Sequence, residues 1–328
     1  MDTFSHVIIG LGLGTLAQID PAIANQPILS NAVIAGTIIG SNAPDFDFIW
    51  RLKGKGSYLR NHRGFSHSLP AIPVWSIIVS IVIYLFFPNP SFLHLYFWTL
   101  IAVLVHVFLD LFNVHGTQVL LPFSRKWIAF DSIPLVDPYI LILHVLGFSL
   151  LPFYQAGKTF LIIYILILLY LVIRALSSIL IKRHLQNHFQ NAVRLKLIPS
   201  MTMFKWNVII ETNEDLLFGV YFKNGLFIDH TLSKKIDFLE LVEESRNDSS
   251  VSDFLSSTHF AYPFVKKRKK GFYVYWKDVR FRTNKFFPTL AIMFISSDLK
   301  NKNSFIGKLH SLKQYKKVHR DLKHFDSN

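Results

Sequence analysis

The sequence predicts an α-helical polytopic membrane domain followed by a small, mostly antiparallel α+β domain. Three observations carry that expectation. Apolar residues make up 51% of the 328-residue chain and the mean hydropathy is +0.34, above an ordinary soluble domain, and several apolar runs approach the ~20 residues a helix needs to cross a bilayer. Charge is unevenly spread: residues 1–181 hold 9 Lys and Arg against 7 Asp and Glu, whereas residues 182–328 hold 26 against 14. From about residue 200 the long apolar runs give way to short alternating segments with turn signals. The expected organisation is a membrane-embedded helical domain at 1–181, a linker at 182–200 and a basic cytoplasmic α+β domain with its tail at 201–328.

Residues 4–19 are apolar, carry Gly10, Gly12 and Gly14, and have His6 near their start. Asp2 stands where a signal peptide would carry basic residues, so no cleavable leader is expected. Pro21 and Pro27 frame a tight connection. Residues 29–41, with Gly36 and Gly40, are small enough to pack closely on the first helix as a hairpin. A polar loop occupies 42–68. Residues 69–87 read as a span that Pro88-Asn89-Pro90 ends, and residues 92–112 as another. A second polar loop covers 113–137, and two further apolar segments lie at 138–153 and 158–181. Beyond the linker, Phe204–Thr212, Leu216–Phe222, Leu226–Asp229, Gly271–Arg282 and Pro288–Ser296 are expected strands, with Asn224-Gly225 as a hairpin signal. Asp237–Ser245 is an expected helix, and the basic tail from Lys300 is expected to be helical.

Nearly all Lys and Arg fall in the loops 42–68 and 113–137 and after residue 181, while 20–28 and 88–91 have none. The positive-inside rule then places the charged loops and the C-terminus in the cytoplasm, with six crossings, or four if the first two helices only dip in. Either arrangement brings Asp45, Asp47, His62, His67, His106 and Asp110 to one membrane face, and His6 with them if its helix starts there.

These residue types are metal ligands. His106 and Asp110 are four apart on one helix, which places both side chains on one face about a turn apart. An ionisable pair in an apolar helix is costly unless it faces a metal, a partner or water; a plain His–Asp hydrogen bond between helices is the competing explanation. Asp45 and Asp47 flank Phe46 after Pro44, where helix capping is the alternative role. His62 and His67 bracket Arg63 and Gly64. The chain has no Cys, so thiolate ligands and disulfides are excluded and a metal must be held by His and carboxylate. The expected cofactor is a divalent cation, zinc above all. His115 and Asp137 are second-rank candidates.

The early His6, the Pro-Asp-x-Asp of Asp45 and Asp47, the His-Arg-Gly-x-Ser-His-Ser run from His62 to Ser68, and the His-x-x-x-Asp of His106 and Asp110 resemble the bacterial YdjM-like family of inner-membrane proteins classed as metal-dependent hydrolases. The resemblance covers roughly residues 1–180, and the C-terminal part is similar to the extension of a Bacillus-type, YfhP-like subgroup. It implies a bacterial cytoplasmic (inner) membrane location, a metal held by His6, Asp45, Asp47, His62, His67, His106 and Asp110, and hydrolysis of an ester or phosphoester, lipid-linked or soluble. Asp45 or Asp47 is then the expected base and Arg63 an anion clamp. The competing function is a membrane-anchored regulatory or scaffold protein with a structural metal. Expected partners are the lipid bilayer, a lipid or phosphoester substrate, and anionic headgroups drawn to the basic C-terminal domain. Nucleic acid is not expected, because the Lys266–Lys270 run is short and no recognition motif accompanies it.

Overall fold

The computed structural model describes the whole chain except residues 224, 259, 283–286, 299–301 and 323–328. It resolves into two compact units: Met1–Asp47 with Arg63–Leu232, and Phe48–His62 with Ser233–Asn328.

The first unit is helical. Helices α1 (Thr3–Leu16), α2 (Pro21–Ala24) and α3 (Pro27–Gly40) are followed by α5 (Ala71–Phe86), α6 (Phe92–Phe112), α7 (Pro138–Leu150) and α8 (Ala156–His188), while the short α4 (Lys55–Asn61) belongs to the other unit. The prolines sit where helices tolerate them: Pro21, Pro27 and Pro138 each open a helix, where the missing N–H has no intrahelical partner to lose. Asp20 caps α2, and Asp137 caps α7 by accepting from Tyr139 N at 3.0 Å and Ile140 N at 3.2 Å. Asp137 also accepts from the Tyr170 hydroxyl at 2.8 Å. This second-rank candidate ligand therefore has a capping role.

Helices α1 and α3 pack face to face through small residues. A Cβ placed on Gly14 would lie 2.8 Å from Ile34 Cα, so only glycine permits this approach. The arrangement matches the expected hairpin of the first two apolar segments. By length and apolarity α6 and α8 can cross a membrane, and α5 qualifies only together with the helical residues before it. Helices α1, α3 and α7 have 13 or 14 residues, about 21 Å at 1.5 Å per residue, shorter than the ~30 Å hydrocarbon layer.

Helix α8 has 33 residues, about 50 Å, more than a span requires. Its surplus carries the first sheet: Ile181 and Leu185 pack with Leu197, Trp206, Val208, Ile210 and Tyr221. That sheet is an antiparallel meander of β1 (Arg194–Pro199), β2 (Lys205–Glu211), β3 (Asp215–Phe222) and β4 (Gly225–Ser233), in sequence order. The stretch 182–200 expected as a linker thus holds the last turns of α8, a short connection and β1, with Leu185 and Leu197 buried against the sheet. Buried Arg174 ties α8 both to the loop before α7 and to the first sheet. Its guanidinium donates to Ser132 O at 2.8 Å and to Met203 O, and lies over the Trp206 ring at 4.4 Å.

In the second unit, β5 (Ala261–Arg268), β6 (Gly271–Asp278), β7 (Thr289–Ser296) and β8 (Lys302–Lys308) form another antiparallel meander. Strand alternation splits its two faces. Val274, Trp276, Met293 and Ile295 pack with α9 (Leu239–Arg246) and α10 (Ser249–Ser256), and Leu59 of α4 joins them. Tyr273, Tyr275, Ile292 and Phe294 pack on the other face with Tyr315, Val318 and Leu322, contributed by α11 (Leu312–Asp321) and the residue after it. The expected strands and helix of this region are present, as is a helix in the basic tail; β1, β5, β8 and α10 are additions. Asn224 of the hairpin signal lies outside the described residues, and so do parts of the tail.

Arg174→Met leaves the carbonyls of Ser132 and Met203 without their cationic donor. It is expected to cost about 2–4 kcal/mol, read as a lowered unfolding midpoint of the detergent-solubilised protein. An unchanged midpoint contradicts this role for Arg174.

Candidate metal centre

Four donors from three segments converge in the first unit. Asp45 lies in the 3-10 segment Ala43–Lys53, His67 in the 3-10 turn Phe65–His67, and His106 and Asp110 in the last turns of α6. His67 Nε2 is 3.2 Å from His106 Nε2, 3.4 Å from Asp45 Oδ1 and 3.5 Å from Asp110 Oδ2. His106 Nε2 is 3.8 Å from both Asp45 Oδ1 and Asp110 Oδ2. Four ligands held ~2.05 Å from a tetrahedral cation stand ~3.3 Å from one another; the five distances here run from 3.2 to 3.8 Å, and all four atoms lie within 4.8 Å of one another, close enough to share an ion. Three of the donors are fully buried, and Asp45 keeps 21% of its side chain exposed.

Hydrogen bonding supports the fit. Asp45 Oδ1 is buried with no hydrogen-bond donor, and Asp110 Oδ2 lies 3.2 Å from Arg63 Nη2 without hydrogen-bond alignment. A carboxylate oxygen shut away from water without a hydrogen bond is costly; Arg63 offsets this in part for Asp110, and a cation shared by the four donors would do so for Asp45 as well. Burial alone would raise the Asp45 pKa; the His67 ring, with Nε2 3.4 Å from Oδ1, and the nearby His106 outweigh it and hold the carboxyl well below its usual range.

A second layer orients the first. His106 Nδ1 is 2.6 Å from Ser41 O, and the N–H it donates there leaves the Nε2 lone pair facing the site. Ser66 Oγ donates to Asp47 Oδ2 at 2.7 Å and sits 2.9 Å from His67 Nδ1, so the hydroxyl links ring and carboxylate. Arg63 adopts φ 61, a left-handed conformation that a bulky residue takes only when pinned. Its N–H donates to Asp47 Oδ2 at 3.1 Å, its carbonyl accepts from Gln118 N at 3.0 Å, and its Nη1 donates to Asn113 Oδ1 at 3.0 Å. Asn113 in turn donates to Asp110 Oδ1 at 3.0 Å.

Among the expected ligands, Asp45, His67, His106 and Asp110 come together. His6 lies beside them: its ring stacks on His106 with centroids 3.9 Å apart, its Nε2 is 3.6 Å from Asp110 Oδ1, and both ring nitrogens are buried without a hydrogen-bond partner. Asp47 serves Ser66 and Arg63. His62 belongs to the second unit and stacks on Tyr58 at 4.7 Å. Arg63 faces Asp110 and Asn113. The backbone N–H of His115 donates to Asn113 Oδ1 at 2.8 Å. Sequence reasoning missed Ser41 and Asn113, and it quoted Ser66 only as part of the motif. The one available signal was the spacing of Asn113, three residues after Asp110 at the helix end.

The molecule is therefore of a recognisable class: a protein with helices able to cross a membrane and, at the end of one of them, a His and Asp set that could hold a metal ion. The chain belongs to the YdjM inner membrane protein family, whose model matches residues 1–180; residues 240–319 match the YfhP C-terminal alpha/beta plait domain. It is 35% identical over 322 residues to the "Uncharacterized protein YfhP" of Bacillus subtilis (strain 168), covering 97% of this chain and 98% of that one. No solved structure matches.

His67→Ala and Asp110→Ala are expected to abolish metal recovered with the purified protein, and Ser66→Ala to weaken affinity about 10–100-fold. Elemental analysis and metal titration measure both, and metal-free wild type would sink the assignment.

Proposed function

We propose that the protein is a membrane-bound, metal-dependent hydrolase of an ester or phosphoester at the cytoplasmic face of the inner membrane. The observation that carries this is the uneven exposure of the donor set, in which three ligands are sealed and Asp45 alone reaches the surface. A site with one open side admits water and substrate, whereas a structural site is closed.

His67, His106 and Asp110 hold the cation, zinc being the best match to imidazole and carboxylate donors. When bound it supplies Lewis acidity and activation of a water molecule. Asp45, at the open side, is placed to take the proton from the attacking water. The water oxygen bonds to the carbonyl carbon or the phosphorus, the ester bond to the leaving oxygen breaks, and the proton held on Asp45 passes to that oxygen. Asp47 and Ser66 fix the His67 ring. Arg63, engaged with Asp110 and Asn113, is assigned to positioning Asp110 in place of the anion-clamp role expected from sequence. His6 is a reserve donor beside the site.

One observation favours a second reading, a membrane-anchored scaffold with a structural metal: Asp45, His67, His106 and Asp110 already make four donors, enough to close a tetrahedron. The two separate cleanly. Hydrolysis predicts metal-dependent turnover on a panel of esters and phosphoesters, lost in His67→Ala; bound metal with no turnover across the panel favours the scaffold.

The charge distribution supports the proposed orientation, with several crossings and the C-terminus in the cytoplasm. It also supports a role for anionic lipid headgroups. The first unit carries 11 Lys and Arg against 11 Asp and Glu, and the second carries 24 against 10. A unit this basic is drawn to an anionic surface by about 1 kcal/mol per cation near it. A reporter fused after Asn328 is expected to register as cytoplasmic, and a periplasmic signal would refute the orientation.

A further inference from the structure

The depth of the donors and the surface beside them narrow the substrate. Helix α6 has 21 residues, about 31 Å, so it matches the ~30 Å hydrocarbon layer with nothing to spare. Asp110 stands two residues and His106 six residues before its end at Phe112, so the donors lie about 3–9 Å inside that end. This is just beneath the level at which a lipid's headgroup joins its chains.

The surface near the donors is apolar. Phe65 is 65% exposed, Leu69 52% and Phe123 88%, and Phe46 and Leu120 are exposed as well. These residues sit on segments bonded to one another around the centre. Leu69 N donates to Val119 O at 2.9 Å, Gln118 N to Arg63 O at 3.0 Å, and Trp75 Nε1 to Ser66 O at 3.2 Å. The Phe46 ring meets Trp75 edge-on at 6.0 Å. Exposed Arg125 and Lys126 follow Phe123 after Ser124. Large apolar tips backed by cations form the pattern of a segment anchored in a bilayer interface. Asp45, the donor that reaches the surface, is next in sequence to Phe46.

We propose that this rim enters the headgroup layer and that the centre draws its substrate from the bilayer: an amphiphilic lipid ester or phosphoester whose scissile bond lies at donor depth. The substrate half of the proposal rests on the hydrolase reading; the insertion half does not. A soluble substrate would have to pass an apolar rim to reach donors below it. Continuity with α5, which begins two residues after Leu69, and with α6 makes the bilayer the occupant of this surface.

The chain contains no Cys, so Phe123→Cys and Leu120→Cys each give a unique label site. With the full chain reconstituted in phosphatidylcholine vesicles, a bimane at either position is expected to be quenched by lipids carrying a shallow nitroxide and protected several-fold from iodide, relative to a label at Lys269→Cys. Iodide quenching equal to that of the Lys269 label overturns insertion. In the activity arm, Phe123→Ser with Leu120→Ser is expected to lower turnover of a bilayer-resident lipid ester about tenfold, while a short-chain water-soluble ester of the same headgroup is barely affected. Equal loss on both substrates, or faster wild-type turnover of the soluble ester, overturns the substrate class. Wild type inactive on both removes the hydrolase reading and the substrate class with it, and the quenching result still decides whether the rim inserts.

Discussion

Charge shut away from water has to be balanced from within, and the first unit is built around that constraint. Three imidazoles and a carboxylate are fully buried near the end of α6, with a second carboxylate beside them. Neighbouring groups account for part of the balance: Arg63 pairs with Asp110 by charge and Asn113 by a hydrogen bond, and Ser66 with Asp47 serves His67. The Nε2 atoms of His67 and His106, Asp45 Oδ1 and Asp110 Oδ2 face one another across a common point, with the His6 ring beside them. These groups could hold a cation there, and in a medium of low dielectric it would offset their burial strongly.

The surrounding architecture serves the same constraint. Small residues let α1 approach α3 closely, and this brings the His6 ring onto His106. The left-handed turn at Arg63 sends the backbone N–H to Asp47 and the side chain to Asn113 and Asp110, so one strained residue holds both outer carboxylate contacts. Such strain persists where neighbours over-determine it, and Arg63 is held at its N–H, carbonyl and guanidinium together.

The second unit obeys different physics. It carries the whole net charge of +14, since the positive and negative residues of the first unit cancel. Its stability comes from a sheet covered on both faces by aromatic and aliphatic side chains, with Trp276 on one side and the hydrogen-bonded Tyr275, Tyr315 and His319 on the other. The chain enters this unit between Asp47 and Phe48 and leaves it between His62 and Arg63. Two covalent links to the basic unit therefore lie next to residues that orient the donors.

Much of this was legible in the residues alone. Apolar runs mark helices because a bilayer-facing helix has no polar face to hide, and the turn chemistry of Asn224-Gly225 marks a hairpin. His106 and Asp110 announce a shared face because the helical repeat brings i and i+4 together. What the sequence could not set is which donors share one point. The positions of Asp45, His67 and the α6 pair depend on packing between segments up to 65 residues apart in the chain, and pairing over such separations has no local signature. The same holds for Asp47 and Arg63. As residue types they read as a ligand and an anion clamp; the folded geometry adds that Asp47 accepts from Ser66 and the Arg63 N–H and that Arg63 donates to Asn113, contacts that local sequence does not reveal. The length of α8 teaches a related lesson: composition ends an apolar run at its first charges, but a helix continues as long as its buried face finds something to pack against.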